Sequence, residues 1–176
     1  MEQEVSLIFD IETDGLLYNV TTIHCLAIHD LSTDQTLAYN DTGSSEPISR
    51  GLQRLQDADR IIGHNIIGYD IPVIRKLYPW FGKPAYMVDT LLLSRLYHPD
   101  MINLDKKHTW DGMPLKLYGK HSLESYGYRL NEHKGDYGTT SDWSDWSQEM
   151  EDYCIQDVNV TTKLWKHFQP YLNGSR

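Results

Sequence analysis

Residues 5–11, Val-Ser-Leu-Ile-Phe-Asp-Ile, constrain this chain more than any other stretch. The run is short, apolar and rich in branched and aromatic side chains, which predicts a buried strand. Side chains alternate along a strand, so Asp10 and Glu12 point to one face. A D-x-E at a strand end is by itself a weak signal, ordinarily explained by solvation. Here the neighbours Leu7, Ile8, Phe9 and Ile11 are apolar, so the two carboxylates lie against a sheet interior and need a partner there.

Further strands are predicted at 20–29 and 36–40, which by their order form a meander with the first, then at 60–64 and 86–88. A helix opens at Pro47 and runs to about Ala58, with Ile48, Leu52 and Leu55 at helical spacing. Asp70 reads as the N-cap of a helix with Pro72 in its first turn. Asp89 caps another that runs to Tyr97. Segments 98–120 and 131–146 are loop-rich and separated by a short helix, Ser122–Leu130. A long helix closes the order from Ser147 to Phe168. Three strands followed by alternating helices and strands predict a mixed α/β sheet fold. At 176 residues the chain is expected to be a single domain with a core large enough to need no disulfide or metal staple.

Composition narrows the function classes. No apolar run reaches the ~18 residues of a membrane span, and the N-terminus lacks a basic signal-peptide start. Two cysteines, Cys25 and Cys154, without C-x-x-C spacing, exclude a zinc finger and fit reduced thiols in a cytoplasm. The net charge of −9 runs against nucleic-acid binding, which ordinarily uses a basic surface. Yet the excess is local. Residues 1–49 carry nine acids and no lysine or arginine, leaving 16 acids and 16 bases in the remainder. Either that first quarter is a solvated acidic face, or some of its carboxylates hold cations.

The long helix sharpens the choice. At about 100° per residue, Met150, Tyr153, Cys154, Val158, Thr161, Leu164, Trp165 and Phe168 share an arc of roughly 140°, and Asp157 falls inside it. A carboxylate on a buried stripe must be paired, protonated or metal-bound. The third cluster is His64-Asn65-Ile66-Ile67-Gly68-Tyr69-Asp70, a strand end and turn leading to an acid at a helix start. Taken alone it is an N-cap beside a turn Asn.

Together, D-I-E-T-D-G-L at 10–16, H-N-I-I-G-Y-D at 64–70 and Y-C-I-Q-D at 153–157 resemble the three motifs of the DEDD exonuclease superfamily. The tyrosine four residues before the last Asp marks the DEDDy branch. V-D-T-L-L-L-S-R-L at 88–96 and H-S-L-E-S-Y-G-Y-R-L at 121–130 extend the likeness to the proofreading domain of phage family-A DNA polymerases of the thioredoxin-recruiting type. The resemblance covers nearly the whole chain. The polymerase portion and its thioredoxin-binding segment are not matched here.

That resemblance implies a ribonuclease-H-like fold, a mixed five-stranded sheet flanked by helices. It implies a 3′→5′ exonuclease acting on single-stranded DNA 3′ ends, with two divalent ions, Mg²⁺ or Mn²⁺, in the cytoplasm of a phage host. Asp10, Glu12, Asp70 and Asp157 are the implied metal ligands, and Tyr153 the group that orients the attacking water. Thr13, Leu16 and Asn65 would lie against the substrate end. Lys120 and His121 are candidate DNA contacts, within a segment that also holds Lys106, Lys107, Lys116, Arg129 and Lys134 interleaved with Tyr118, Tyr126 and Tyr128. A separate or fused DNA polymerase is the implied partner, and no membrane. The alternatives are an oligoribonuclease-like RNase and a non-catalytic nucleic-acid-binding module of the same fold. Trp143 and Trp146 read as anchors of the 131–146 loop. His24 and His29 fall on opposite strand faces and do not form a joint metal site.

Overall fold

The computed structural model describes residues 4–43, 45–82, 84–132 and 142–176. Among them, β1 (Ser6–Thr13), β2 (Ile23–Asp30), β3 (Gln35–Tyr39), β4 (Arg60–Gly63) and β5 (Met87–Asp89) form one mixed sheet in the order β3-β2-β1-β4-β5. The first three strands are antiparallel neighbours, and β4 and β5 run parallel to β1. Thus β1 lies at the centre of the sheet. Its apolar run follows from that position, because a central strand is buried on both faces.

Alternation along β1 sorts its side chains into two cores. Leu7, Phe9 and Ile11 pack with Leu26, Ile28 and Ile61 beneath α1 (Ile48–Asp57) and α2 (Asp70–Leu77). Ile8, with Cys25 and Ala27 of β2, meets Met150, Cys154 and Val158 of the long closing helix. The even-numbered face of β1 therefore looks at that helix, and Asp10 and Glu12 share it. Three further helices, α3 (Thr90–Tyr97), α4 (Met101–Lys106) and α5 (Leu123–Arg129), precede the closing helix α6 (Gln148–Leu172). A third apolar cluster joins Met101, Leu123 and Tyr126 to Val160, Leu164 and Phe168 of α6. No helix among the described residues is long and apolar enough to cross a membrane.

The structure departs from the sequence expectations at several elements. Segment 98–120 holds α4 and a short 3₁₀ turn, Leu115–Leu117, neither long enough to show a helical period. Helix α6 continues past Phe168 to Leu172 with Pro170 inside its last turn, where the ring forgoes the bond to the Lys166 carbonyl. Asp70 is the first residue of α2, not its cap, and its side chain makes no capping bond. Trp143 and Trp146 do pack against the α6 core, and Trp146 Nε1 donates to Glu151 Oε2 at 3.2 Å. The 133–141 part of the expected loop, Lys134 included, lies outside the described residues.

One basic residue is spent inside the fold. Arg129 donates from Nε and Nη2 to the two oxygens of Asp105 at 2.9 and 2.7 Å, and Asp105 is wholly buried. Trp110 Nε1 and the Gly119 N–H complete that carboxylate's shell. Burial works to raise the Asp105 pKa, but Arg129 and these donors outweigh it and hold the carboxyl below its ordinary range. Arg129 is therefore a structural cation. Tyr126, buried and hydrogen-bonded to Ser94, is likewise unavailable for base stacking. Asp105→Ala strands the guanidinium without its partner, so urea unfolding should show a loss of about 3–5 kcal/mol.

Candidate active site

The end of β1, the β4–α2 turn and the middle of α6 bring the predicted carboxylates together. Asp10 is half-buried and Glu12 nearly closed off, and they stand opposite Ala27 and Cys25 of β2. The ladder shifts register just after Glu12, and the chain then turns through Thr13, Asp14 and Gly15. Ligand atoms of Asp10, Glu12 and Cys154 all lie within 4.8 Å of one another. The Cys154 thiol donates to the Asp10 carbonyl at 3.4 Å and approaches its Oδ2 at 3.9 Å. Burial, with Cys25, Asp10 and Glu12 beside it, pushes this thiol well above its ordinary range and keeps it protonated. Asp157, one turn further along α6, is buried at 5% exposure.

Asp70 reaches the same place from the other core. Its own backbone N–H and that of Ile11, between the two acids of β1, both act to lower its pKa, and Tyr69 rather than Asp70 holds the cap position of α2. The side chain is 4% exposed and its Oδ1 has no hydrogen-bond partner. Burial, reinforced by the Asp89 and Asp157 charges, pushes its carboxyl up to about 7. Like charges gathered out of water, with an orphaned buried oxygen among them, are a donor set for a hard divalent cation. The oxygen ligands fit Mg²⁺ or Mn²⁺, and the protonated thiol does not compete.

Two clefts hold the predicted substrate contacts, and the first includes one of the carboxylates. One, about 360 Å³, is lined by Glu12, Thr13, Leu16, Tyr69 and Trp143, among others. Leu16 is 62% exposed at its rim, whereas the Thr13 hydroxyl is held by Tyr69 Oη at 2.6 Å and the Gly15 carbonyl at 2.9 Å. Tyr153 is half-buried, edge-on to Trp143. The second cleft, about 450 Å³, brings Asn65, Lys120 and His121 together with Arg95. His64 ties its walls, with Nδ1 on Thr90 Oγ1 at 2.8 Å and Nε2 on the His121 carbonyl at 3.0 Å. A carbonyl only accepts, so Nε2 carries the proton.

Sequence reasoning missed Arg95, whose signal was its place one helical turn beyond Leu91 at the same cleft. It also gave Asp89 no role beyond capping α3, and it overlooked buried Glu151, which accepts from Asn40 Nδ2 at 2.6 Å and anchors the loop before α6. His24 and His29 make separate contacts, with the Trp143 carbonyl and with Thr36.

A mixed sheet of this order with converging acids defines a ribonuclease-H-like protein. The RNase H superfamily model matches residues 7–169, and the chain belongs to that superfamily as an exonuclease domain. It is 32% identical to the DNA-directed DNA polymerases of Escherichia phage T7 and Enterobacteria phage T3 over 93% of its length. It spans only 27% of each of those relatives. Among solved structures, Brucella melitensis NrnC bound to pGG superposes with a TM-score of 0.62 at 18% identity, over 98% of this chain and 76% of that one. The family B DNA polymerase of Pyrobaculum calidifontis gives 0.62 at 20%, over 97% of this chain and 25% of that one. The zinc-bound E. coli ExoI–ssDNA complex gives 0.53 at 17%, over 99% and 43%.

The raised Asp70 pKa has a signed consequence. Its carboxyl ionises near 3.8 unfolded and about 7 folded, so folding takes up a proton between those values. Stability of the metal-free protein should fall as pH rises from about 4 through 7 and stay low above it. Asp70→Asn should remove that fall and, in EDTA at pH 8, melt above the wild type by calorimetry.

Proposed function

We propose that this chain is a metal-dependent 3′→5′ exonuclease that hydrolyses single-stranded DNA ends to nucleoside 5′-monophosphates. The observation that carries this reading is the convergence of Asp10, Glu12, Asp70 and Asp157 from three separate elements at one buried place. No packing need explains that much like charge. The DNA substrate is supported by the two phage DNA polymerases that match nearly the whole chain, and by the likeness to the ExoI–ssDNA complex. The same likeness supports a setting in phage DNA replication or proofreading, beside or within a polymerase.

Two bound divalent ions supply the acidified water and the charge neutralisation that phosphodiester hydrolysis needs. Asp10, Glu12, Asp70 and Asp157 would hold these ions. The Tyr153 hydroxyl orients the attacking water. Leu16, exposed at the rim of the first cleft, separates the last two bases, and Thr13 supports the terminal nucleotide through its backbone and methyl group. Asn65, Lys120 and His121 face the strand leading into the site, where Arg95 adds a second permanent cation.

The test is digestion of 5′-labelled single-stranded DNA and RNA oligomers of one sequence, with Mg²⁺, Mn²⁺ or EDTA. DNA should shorten stepwise from its 3′ end, and EDTA should stop it. Asp157→Ala should reduce the rate by at least about 10²-fold, the several kcal/mol carried by bound-metal charge stabilisation. Tyr153→Phe should lose roughly 10- to 100-fold through misplacement of the water. Strong preference for RNA would sink the DNA assignment, and full activity in purified Asp157→Ala would sink the site.

A further inference from the structure

We infer that Asp89 is a positioning residue: it clamps the turn that delivers Asp70 and so sets the geometry of one of the two metal positions. This rests on reading Asp70 as a metal ligand.

Asp89 ends β5, directly opposite Gly63 across the parallel ladder, and is 5% exposed. Its Oδ1 accepts from the Leu91 N–H at 2.9 Å, which is an ordinary helix cap. A cap accounts for only one of its three bonds. Oδ1 also accepts from the Asn65 N–H at 2.9 Å, and Oδ2 from the Ile67 N–H at 3.1 Å. The remaining two bonds therefore reach across to the turn between β4 and α2.

That turn needs holding. Asn65 has φ of +62°, a left-handed conformation that Asn tolerates better than other side chains and that its bonded neighbours hold in place here. At Gly63 an added Cβ would lie 2.2 Å from Ile66 Cγ2 and 3.0 Å from the Phe9 carbonyl, so the turn presses against β1 with no slack. The Asn65 carbonyl accepts from Tyr69 N, and the Ile66 carbonyl from Ile71 N. The clamped residues thus fix the residues on either side of Asp70. Thr90, next to Asp89, bonds both the Gly63 carbonyl and His64, so the start of α3 grips the turn along its length.

The charge of Asp89 has a second effect. It is the larger of the two acidic charges acting on Asp70, and it is answered by backbone N–H groups in these three bonds. A carboxylate beside a metal ligand favours the cation-bound form of that ligand, as outer carboxylates do around metal centres. Asn at this position could satisfy the cap. It could not accept from both Asn65 and Ile67 without turning an N–H toward a donor.

The experiment compares the wild-type chain with Asp89→Ser and Asp89→Asn. A serine hydroxyl still caps α3 but cannot span the turn, so it separates the two roles. Mn²⁺ binding is read by calorimetry without substrate, alongside thermal unfolding and the metal dependence of DNA digestion. The expected result is one Mn²⁺ bound about 10- to 100-fold more weakly in both variants, with the other unchanged. Excess Mn²⁺ should restore most of kcat, and KM for DNA should stay constant. Unchanged Mn²⁺ affinity in a folded variant overturns the inference.

A measurement on the wild type needs no variant. Saturating Mg²⁺ should slow amide exchange at Asn65 and Ile67, because an ion that binds only the closed turn protects it. Exchange unaltered by bound Mg²⁺ overturns the inference even if both variants fail to fold. If the wild type binds no ion and digests no DNA, the exonuclease reading itself fails, a result distinct from either of these.

Discussion

Repulsion among carboxylates held out of water is the constraint on which the arrangement depends. Asp70 and Asp157 are almost closed to solvent, Glu12 nearly so, and Asp89 adds a further charge behind them. A soluble domain has no thermodynamic reason to assemble such a group, and each member needs scaffolding. Asp10 and Glu12 ride on the central, almost wholly buried strand of the sheet. Asp157 sits on a 25-residue helix seated by Met150, Cys154 and Val158. Asp70 is held by a turn whose backbone is bonded on several sides. The apolar cores support that strain, and the cations proposed above would offset it on binding.

Much of this was legible in the sequence, for physical reasons. Strand alternation placed Asp10 and Glu12 on one face, and the 3.6-residue period placed Asp157 on the buried stripe of α6; both rules depend only on local geometry. Helix α4 was illegible because six residues are too few to show a period. Asp70 was misread as a cap because an acid at a helix start ordinarily bonds its own backbone. Here Tyr69 takes the cap position, and Asp70 stands one residue inside α2, buried beside β1. Arg129 was misread because its partner Asp105 lies 24 residues upstream, a pairing that only the tertiary fold creates.

The charge distribution takes a different meaning once placed in space. Of the nine acids before residue 50, Asp10 and Glu12 belong to the cluster, and Asp14 bonds Thr21 and Thr22 to shape the turn at the cleft. Asp30 pairs with Arg54, and Asp41 accepts from the Ile48 N–H at the start of α1. With Arg129 internal, the cations left at the second cleft are Arg95 and Lys120. So few positive groups imply a weak hold on a nucleic-acid backbone with a shallow salt dependence, in which neutralisation at the carboxylates matters more than a basic surface.

The division of β1 between two cores governs how this chain can change over evolutionary time. Single substitutions at Leu7, Phe9 or Ile11 act on packing under α1 and α2, and those at Asp10 or Glu12 act on the carboxylate cluster on the opposite face, so the two can drift separately. Length cannot. One residue gained or lost between Ser6 and Asp10 would rotate the acids into the apolar layer and turn Phe9 or Ile11 toward the cation position, since a one-residue slip exchanges the two faces of a strand. Stability and activity would be lost in the same event. Insertions and deletions should therefore be confined to the connections of the fold, and β1 should keep a fixed length wherever this architecture is used.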